Sequence, residues 1–291
     1  MAEIHGVITA MITPFEEGGG VDERAARGLA RRLVENGSHG LVVAGTTGES
    51  PTLSDSEKIS MLRAVREEVG AEATVICGTG SNDTAHTAKL TRAAGEAGAD
   101  AALVVTPYYN KPNRAGLLAH FEAVAAAAPG LPIVLYNIPS RVVVNMPPDL
   151  LAELGGIEGV VAVKQANNED LAPIPGLALL AGNDDVFLRT LELGGAGGIL
   201  VASHLIGPQM REIWDAVEAG EVERAHEIDT AIRPLLDALT VTSNPIPVKA
   251  ALEILGLDSG RMRLPMVPAD PGQREVVRSG LEAVGLLAAA G

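Results

Sequence analysis

Short apolar runs alternate with helical segments eight times over residues 1–220, and this alternation limits the fold more than any other feature of the chain. Runs at residues 7–11, 40–44, 74–78, 101–106, 133–136, 160–164, 178–182 and 198–201 have the composition of strands buried on both faces. Segments 22–36, 54–69, 82–97, 114–128, 147–154, 184–193 and 208–219 read as helices. Leu29, Leu33 and Val34 share one face of the first, and Ser54 and Glu57 stand at capping-box spacing before the second. After residue 164 the helix is replaced by a short, poorly helical stretch. Eight such units predict an α/β fold of the (β/α)8 TIM-barrel type. An open doubly wound sheet is the alternative, but no switch point is evident. Stretches 221–239, 247–255 and 271–287 are helical and carry no strand pattern. The expected organisation is a barrel over residues 1–220 with a C-terminal three-helix region over 221–291, packed on it because no Ser/Gly linker intervenes.

The function classes excluded follow from charge and composition. A formal net charge of −15 repels nucleic acid and anionic membrane surfaces, so neither is expected as a partner. An anionic ligand then needs a local cation, and the chain has only five lysines among its 22 basic residues. The one cysteine, Cys77, lies in an apolar run and reads as core; no disulfide framework is possible within the chain. No basic leader precedes the first run and no uninterrupted apolar stretch is long enough to span a bilayer, so a soluble cytoplasmic protein is expected. The six histidines (5, 39, 86, 120, 204 and 226) show no metal-ligand spacing, and no metal is expected.

A barrel places its chemistry at the C-terminal ends of its strands. Lys164 ends the sixth run. Burial there disfavours the ammonium, and a neutral amine can attack a carbonyl and form a Schiff base. Taken alone, the segment fits better a lysine that leaves the strand and reaches solvent. All three tyrosines, Tyr108, Tyr109 and Tyr136, fall at strand ends, where a phenol can pass protons; half-buried rim tyrosines are also common. Gly45-Thr46-Thr47-Gly48 offers clustered N–H groups and two hydroxyls, enough for a small carboxylate, and equally describes a turn. Arg141, after a proline-containing loop, can bind a carboxylate bidentately, and reads equally as a surface arginine on a loop. The glycines of 194–198 precede the eighth run, on the wrong rim for a phosphate, and read as a helix stop.

Taken together, GTTGES (45–50), GTGSND (78–83), TPYYNKP (106–112), YNIPSR (136–141), VAVKQAN (161–167), AGNDD (181–185) and NPIPVKAAL (244–252) resemble the dihydrodipicolinate synthase family, within the pyruvate-dependent, Schiff-base-forming aldolases that include N-acetylneuraminate lyase. The resemblance spans nearly the whole chain in the family's order and spacing. It implies a lyase that condenses pyruvate with L-aspartate 4-semialdehyde to 4-hydroxy-tetrahydrodipicolinate, in lysine and diaminopimelate biosynthesis. It implies no cofactor beyond the covalent Schiff base, and a homotetramer built from two tight dimers. By the same resemblance Lys164 forms the Schiff base, Tyr136 moves protons, and Thr47 links Tyr136 to Tyr109 in a relay that the family completes with the tyrosine of a neighbouring subunit. Thr46 and Thr47 hold the pyruvate carboxylate, Arg141 holds that of the aldehyde, and Gly182 and Ile199 line the lysine pocket.

Departures from the family pattern matter. Val142-Val143 stands where many members have Thr-Gly, which leaves open another pyruvate-dependent aldolase, such as a sugar-acid aldolase or neuraminate-lyase-like enzyme. A non-catalytic binding paralogue is disfavoured by the presence of Lys164 and the tyrosines. The family's effector pocket corresponds to Asp55, Lys58 and His86, with Asn82 and Tyr108 kept. A lysine at 58 repels an ammonium, so weak or absent inhibition by L-lysine is expected.

Overall fold

Aliphatic runs with no polar face can be strands only where both faces are covered. The computed structural model, which describes residues 4–288, meets that condition by closing eight parallel strands into a barrel. The outermost residues of the two expected regions, 1–3 and 289–291, lie outside the described residues. The strands are β1 (Gly6–Ala10), β2 (Gly40–Val43), β3 (Thr74–Gly78), β4 (Ala101–Val105), β5 (Ile133–Asn137), β6 (Val160–Gln165), β7 (Ala178–Ala181) and β8 (Gly197–Leu200). They follow sequence order, and β8 pairs back onto β1, which leaves no open edge. Successive side chains point to opposite faces. Ile8, Val42, Ile76, Val134 and Leu180 fill the interior. Val7, Val43, Val75, Leu135 and Leu179 pack outward under the helices.

Helices α1 (Glu23–Glu35), α2 (Asp55–Val69), α3 (Thr84–Glu96) and α4 (Arg114–Ala127) begin where a side chain can take an orphan amide. Asp22 caps α1, Ser54 and Glu57 form a capping box on α2, Asp83 caps α3 and Asn113 caps α4. A four-residue helix, α5 (Pro139–Val142), forms between the expected run at 133–136 and the expected helix at 147–154, ahead of α6 (Pro148–Leu154). The segment expected at 184–193 divides into a 3-10 turn, Asp184–Val186, and α7 (Phe187–Glu192). Helix α8 (Ser203–Glu218) starts five residues before its expected beginning at Pro208. Its geometry breaks at Ile206 (φ −121, ψ 40), because Pro208 brings a ring and no N–H. Helices α9 (Val222–Ala238), α10 (Ile246–Ile254) and α11 (Pro271–Ala283) follow; α9 packs on α8, α11 on α9, and α10 on both α8 and α11.

Candidate active site

The inward aim of Lys164 depends on a break in strand register. Ile133 pairs with Val160, but the next residue, Val134, pairs with Ala162, so Val161 is the extra residue of a β-bulge. Val160 packs outward, Val161 and Ala162 both lie against the barrel interior, and Val163 packs outward again. This change of parity turns Lys164 into the barrel; uninterrupted alternation from Val160 would have pointed it at the helices. Lys164 pairs with Tyr136, is 5% exposed, and holds its Nζ 4.4 Å from the centroid of the Tyr136 ring. Among the described residues it belongs to no ion pair, in contrast to the buried Lys249.

The rim around this pair is fixed by buried polar groups. The Tyr136 carbonyl accepts hydrogen bonds from both the N–H and the Oγ1 of Thr106, each at 3.0 Å. Asn137 donates to Asn145 Oδ1 at 2.8 Å and to Gln165 Oε1 at 3.0 Å, joining the ends of β5 and β6. Ile199 is buried in the same interior cluster as Tyr136. The Gly182 N–H donates to the Gln165 carbonyl at 2.8 Å, and a Cβ at 182 would stand 2.6 Å from that oxygen, so a side chain does not fit. Asp184 accepts from the N–H groups of Val201 (3.0 Å) and Ala202 (2.9 Å), tying the loop after β7 to the end of β8. Burial raises its carboxyl pKa, against the opposing pull of those amides and of the Lys164 charge.

Above the pair opens a cavity of ≈ 650 Å³. Thr46, Tyr109, Tyr136 and Arg141 all face it, so the structure brings these four candidates together; Lys164 is not on its wall but holds its Nζ over the ring of Tyr136, which is. Thr47 is buried, and its Oγ1 accepts from Asn244 Nδ2 at 2.9 Å. Among the described residues no hydrogen bond joins Thr47 to Tyr136 or to Tyr109, so the relay that the resemblance implies is not formed within one chain. Tyr109 is 88% exposed at φ +71, a conformation that strains an aromatic residue. Val143 shares both traits, exposed at φ +71, and the Arg141 guanidinium donates from Nη2 to the Asn244 carbonyl at 3.0 Å. The same cavity is also lined by Asp55, Lys58, Asn82 and His86. His86 Nε2 lies 2.9 Å from the Asp55 carboxylate, and burial pushes the Lys58 ammonium pKa down against the pull of Asp55.

Other residues settle into structural places. Burial pushes the Cys77 thiol up to about 12, as befits a core cysteine. At the opposite rim Gly194 follows α7 and Gly197 (φ +152) opens β8, where a Cβ would stand 2.2 Å from the Gly6 carbonyl oxygen. Three site residues escaped the sequence reading: Asn244, which touches both Thr47 and Arg141, and the buried pair Glu49–Lys249. The signal for the last was present, since Lys249 is the one cation in the apolar helix IPVKAALEI, and a lysine so placed needs a carboxylate.

Known proteins resemble the chain throughout. The model of the dihydrodipicolinate synthetase family matches residues 3–284. The 4-hydroxy-tetrahydrodipicolinate synthase of Synechococcus elongatus is 47% identical over 290 residues, 97% of either chain. The crystal structure of the Cyanidioschyzon merolae dihydrodipicolinate synthase with lysine bound superposes with a TM-score of 0.93 at 42% identity, over 97% of this chain and 99% of that one. The chloride-inhibited synthase of Acinetobacter baumannii, complexed with pyruvate, gives 0.93 at 36% identity, over 98% and 100%. The chain belongs to the dihydrodipicolinate synthetase family.

Proposed function

We propose that the chain condenses pyruvate with L-aspartate 4-semialdehyde to give 4-hydroxy-tetrahydrodipicolinate. The observation that carries this is the placement of Lys164: buried, inside the barrel, over Tyr136, and in no ion pair among the described residues. Its amine adds to the keto carbon of pyruvate and water leaves, forming an imine. Loss of a methyl proton gives the enamine, whose carbon attacks the aldehyde. The aldehyde oxygen takes a proton and becomes the 4-hydroxyl. The substrate's own amine then adds to the imine carbon and expels Lys164, closing the ring. One water is released and no external cofactor is required.

Tyr136 moves these protons, a role supported by the 4.4 Å between its ring centroid and the Lys164 Nζ. Thr46 and Thr47 offer the pyruvate carboxylate their hydroxyls and N–H groups, with Gly182 and Ile199 shaping the lysine pocket. Arg141, on the cavity wall, supplies the cation that an anionic aldehyde needs in a chain of net charge −15. The exposed, strained Tyr109 supports a role in the site of a second copy, within a homotetramer made of two tight dimers. The cytoplasm suits the free thiol of Cys77, and among the described residues no helix is long and apolar enough to cross a membrane.

The test is turnover with pyruvate and a panel of aldehydes. Condensation with the semialdehyde far ahead of sugar aldehydes and N-acetylmannosamine supports the assignment. Preference for a neutral sugar aldehyde overturns it in favour of another aldolase of the same chemistry.

A further inference from the structure

A buried ion pair ties the C-terminal helical region to the loop after β2. Lys249, on α10, is 1% exposed and spends all three of its protons. They go to Glu49 Oε1 at 2.6 Å, the Thr13 carbonyl at 2.8 Å and the Arg261 carbonyl at 2.6 Å. The other Glu49 oxygen accepts the Arg263 N–H at 3.0 Å. The Phe15 ring closes the site, 4.4 Å from Lys249 Nζ and 4.7 Å from the Arg263 guanidinium carbon. Glu49 itself is 3% exposed at φ +55, a left-handed conformation that a glutamate keeps only where its surroundings impose it.

Glu49 stands two residues after Thr47, and the loop is pinned at three successive positions. Thr47 Oγ1 accepts from Asn244, the Gly48 carbonyl accepts from Thr13 Oγ1 at 2.6 Å, and the Glu49 carboxylate accepts from Lys249. Asn244 and Lys249 belong to one stretch, NPIPVK, and Thr13 is itself held through its carbonyl by Lys249. A buried pair is a weak source of stability, because desolvation offsets its Coulombic attraction. What it does supply, with every donor used, is fixed geometry.

We propose that Glu49 and Lys249 are positioning residues, which hold Thr46 and Thr47 in register with Lys164 so that pyruvate binding depends on the C-terminal helical region. This rests on the pyruvate reading of the site.

The test is the double variant Glu49→Gln with Lys249→Met. It buries no unpaired charge, and the amide oxygen of the substituted side chain can still accept the Arg263 N–H. Circular dichroism follows the fold, and steady-state kinetics separate the constants for the two substrates. The expected result is a folded protein whose KM for pyruvate rises on the order of 10- to 100-fold, with the KM for the aldehyde unchanged, as for a small displacement of substrate-positioning groups. The single variant Lys249→Met, which strands the Glu49 carboxylate, should melt lower and move the same constant. A folded double variant with the wild-type KM for pyruvate overturns the proposal, as does a loss shared equally between the two substrates. Wild-type protein that fails to condense pyruvate, run in parallel, would instead sink the reading of the site.

Discussion

Lys164 and Tyr136 are register partners on β6 and β5, and the Lys164 Nζ lies 4.4 Å from the Tyr136 ring centroid. A one-residue bulge at Val161 turns Lys164 to the inner face of the barrel, which Tyr136 already occupies by the alternation of β5. The amine and the phenol are thus set together by backbone pairing rather than by loop conformation, which gives the precision that covalent chemistry needs.

Tyr109 gives the first prediction. If it serves a neighbouring subunit, Tyr109→Phe and Lys164→Met should each be nearly inactive alone. Mixed and reassembled, they should recover activity, because the Lys164→Met subunit supplies a tyrosine to a site that still has its lysine. Absence of recovery, with mixed oligomers verified by native mass spectrometry, contradicts the shared site.

Arg141 discriminates between the substrates. Arg141→Ala should raise the KM for L-aspartate 4-semialdehyde about 10- to 100-fold, the loss expected for a charge-assisted hydrogen bond. The KM for pyruvate should hold. An equal rise for both constants, or for neutral aldehydes as well, counts against the role.

Lys58 lines the cavity together with Asp55 and His86. Sub-millimolar L-lysine should leave the rate unchanged, although the relative from Cyanidioschyzon merolae was crystallised with lysine bound. Lys58→Ala should raise sensitivity to lysine by removing the repelling charge. Isothermal titration calorimetry checks both, and tight binding to the unaltered chain would contradict the expectation.

His204 and His120 set an acid limit on stability. His204 Nε2 accepts the Ile12 N–H at 3.1 Å while Nδ1 lies 2.8 Å from the Val201 carbonyl, an arrangement suited to the neutral ring. Burial pushes both histidines from 6.5 to about 4. Their folded pKa values are depressed, so between 6.5 and about 4 the unfolded chain binds more protons than the folded one, and stability falls as pH falls through that window. Each contributes a slope of up to about 1.4 kcal/mol per pH unit. Urea midpoints should drop steadily across the window, with a smaller slope in His204→Gln. A flat profile would contradict this.

Much of the molecule was legible in its sequence because the deciding signals are local. The apolar runs gave the strands, and Ser54 with Glu57 gave the start of α2. Lys164 could be placed at a strand end, but not aimed, because its direction depends on pairing with β5. The start of α8 was missed because helix forms on both sides of the break at Ile206, ahead of Pro208. The bond between Lys249 and Glu49 crosses 200 residues of sequence, and no periodicity reports a contact of that kind.

Borohydride reduction in the presence of pyruvate tests the central assignment most directly. Peptide mass spectrometry should find one modified site per chain, Lys164, carrying pyruvic acid less one oxygen atom, and Lys164→Met should abolish the adduct. An unmodified chain, or an adduct on Lys58, Lys89, Lys111 or Lys249 instead, would contradict it.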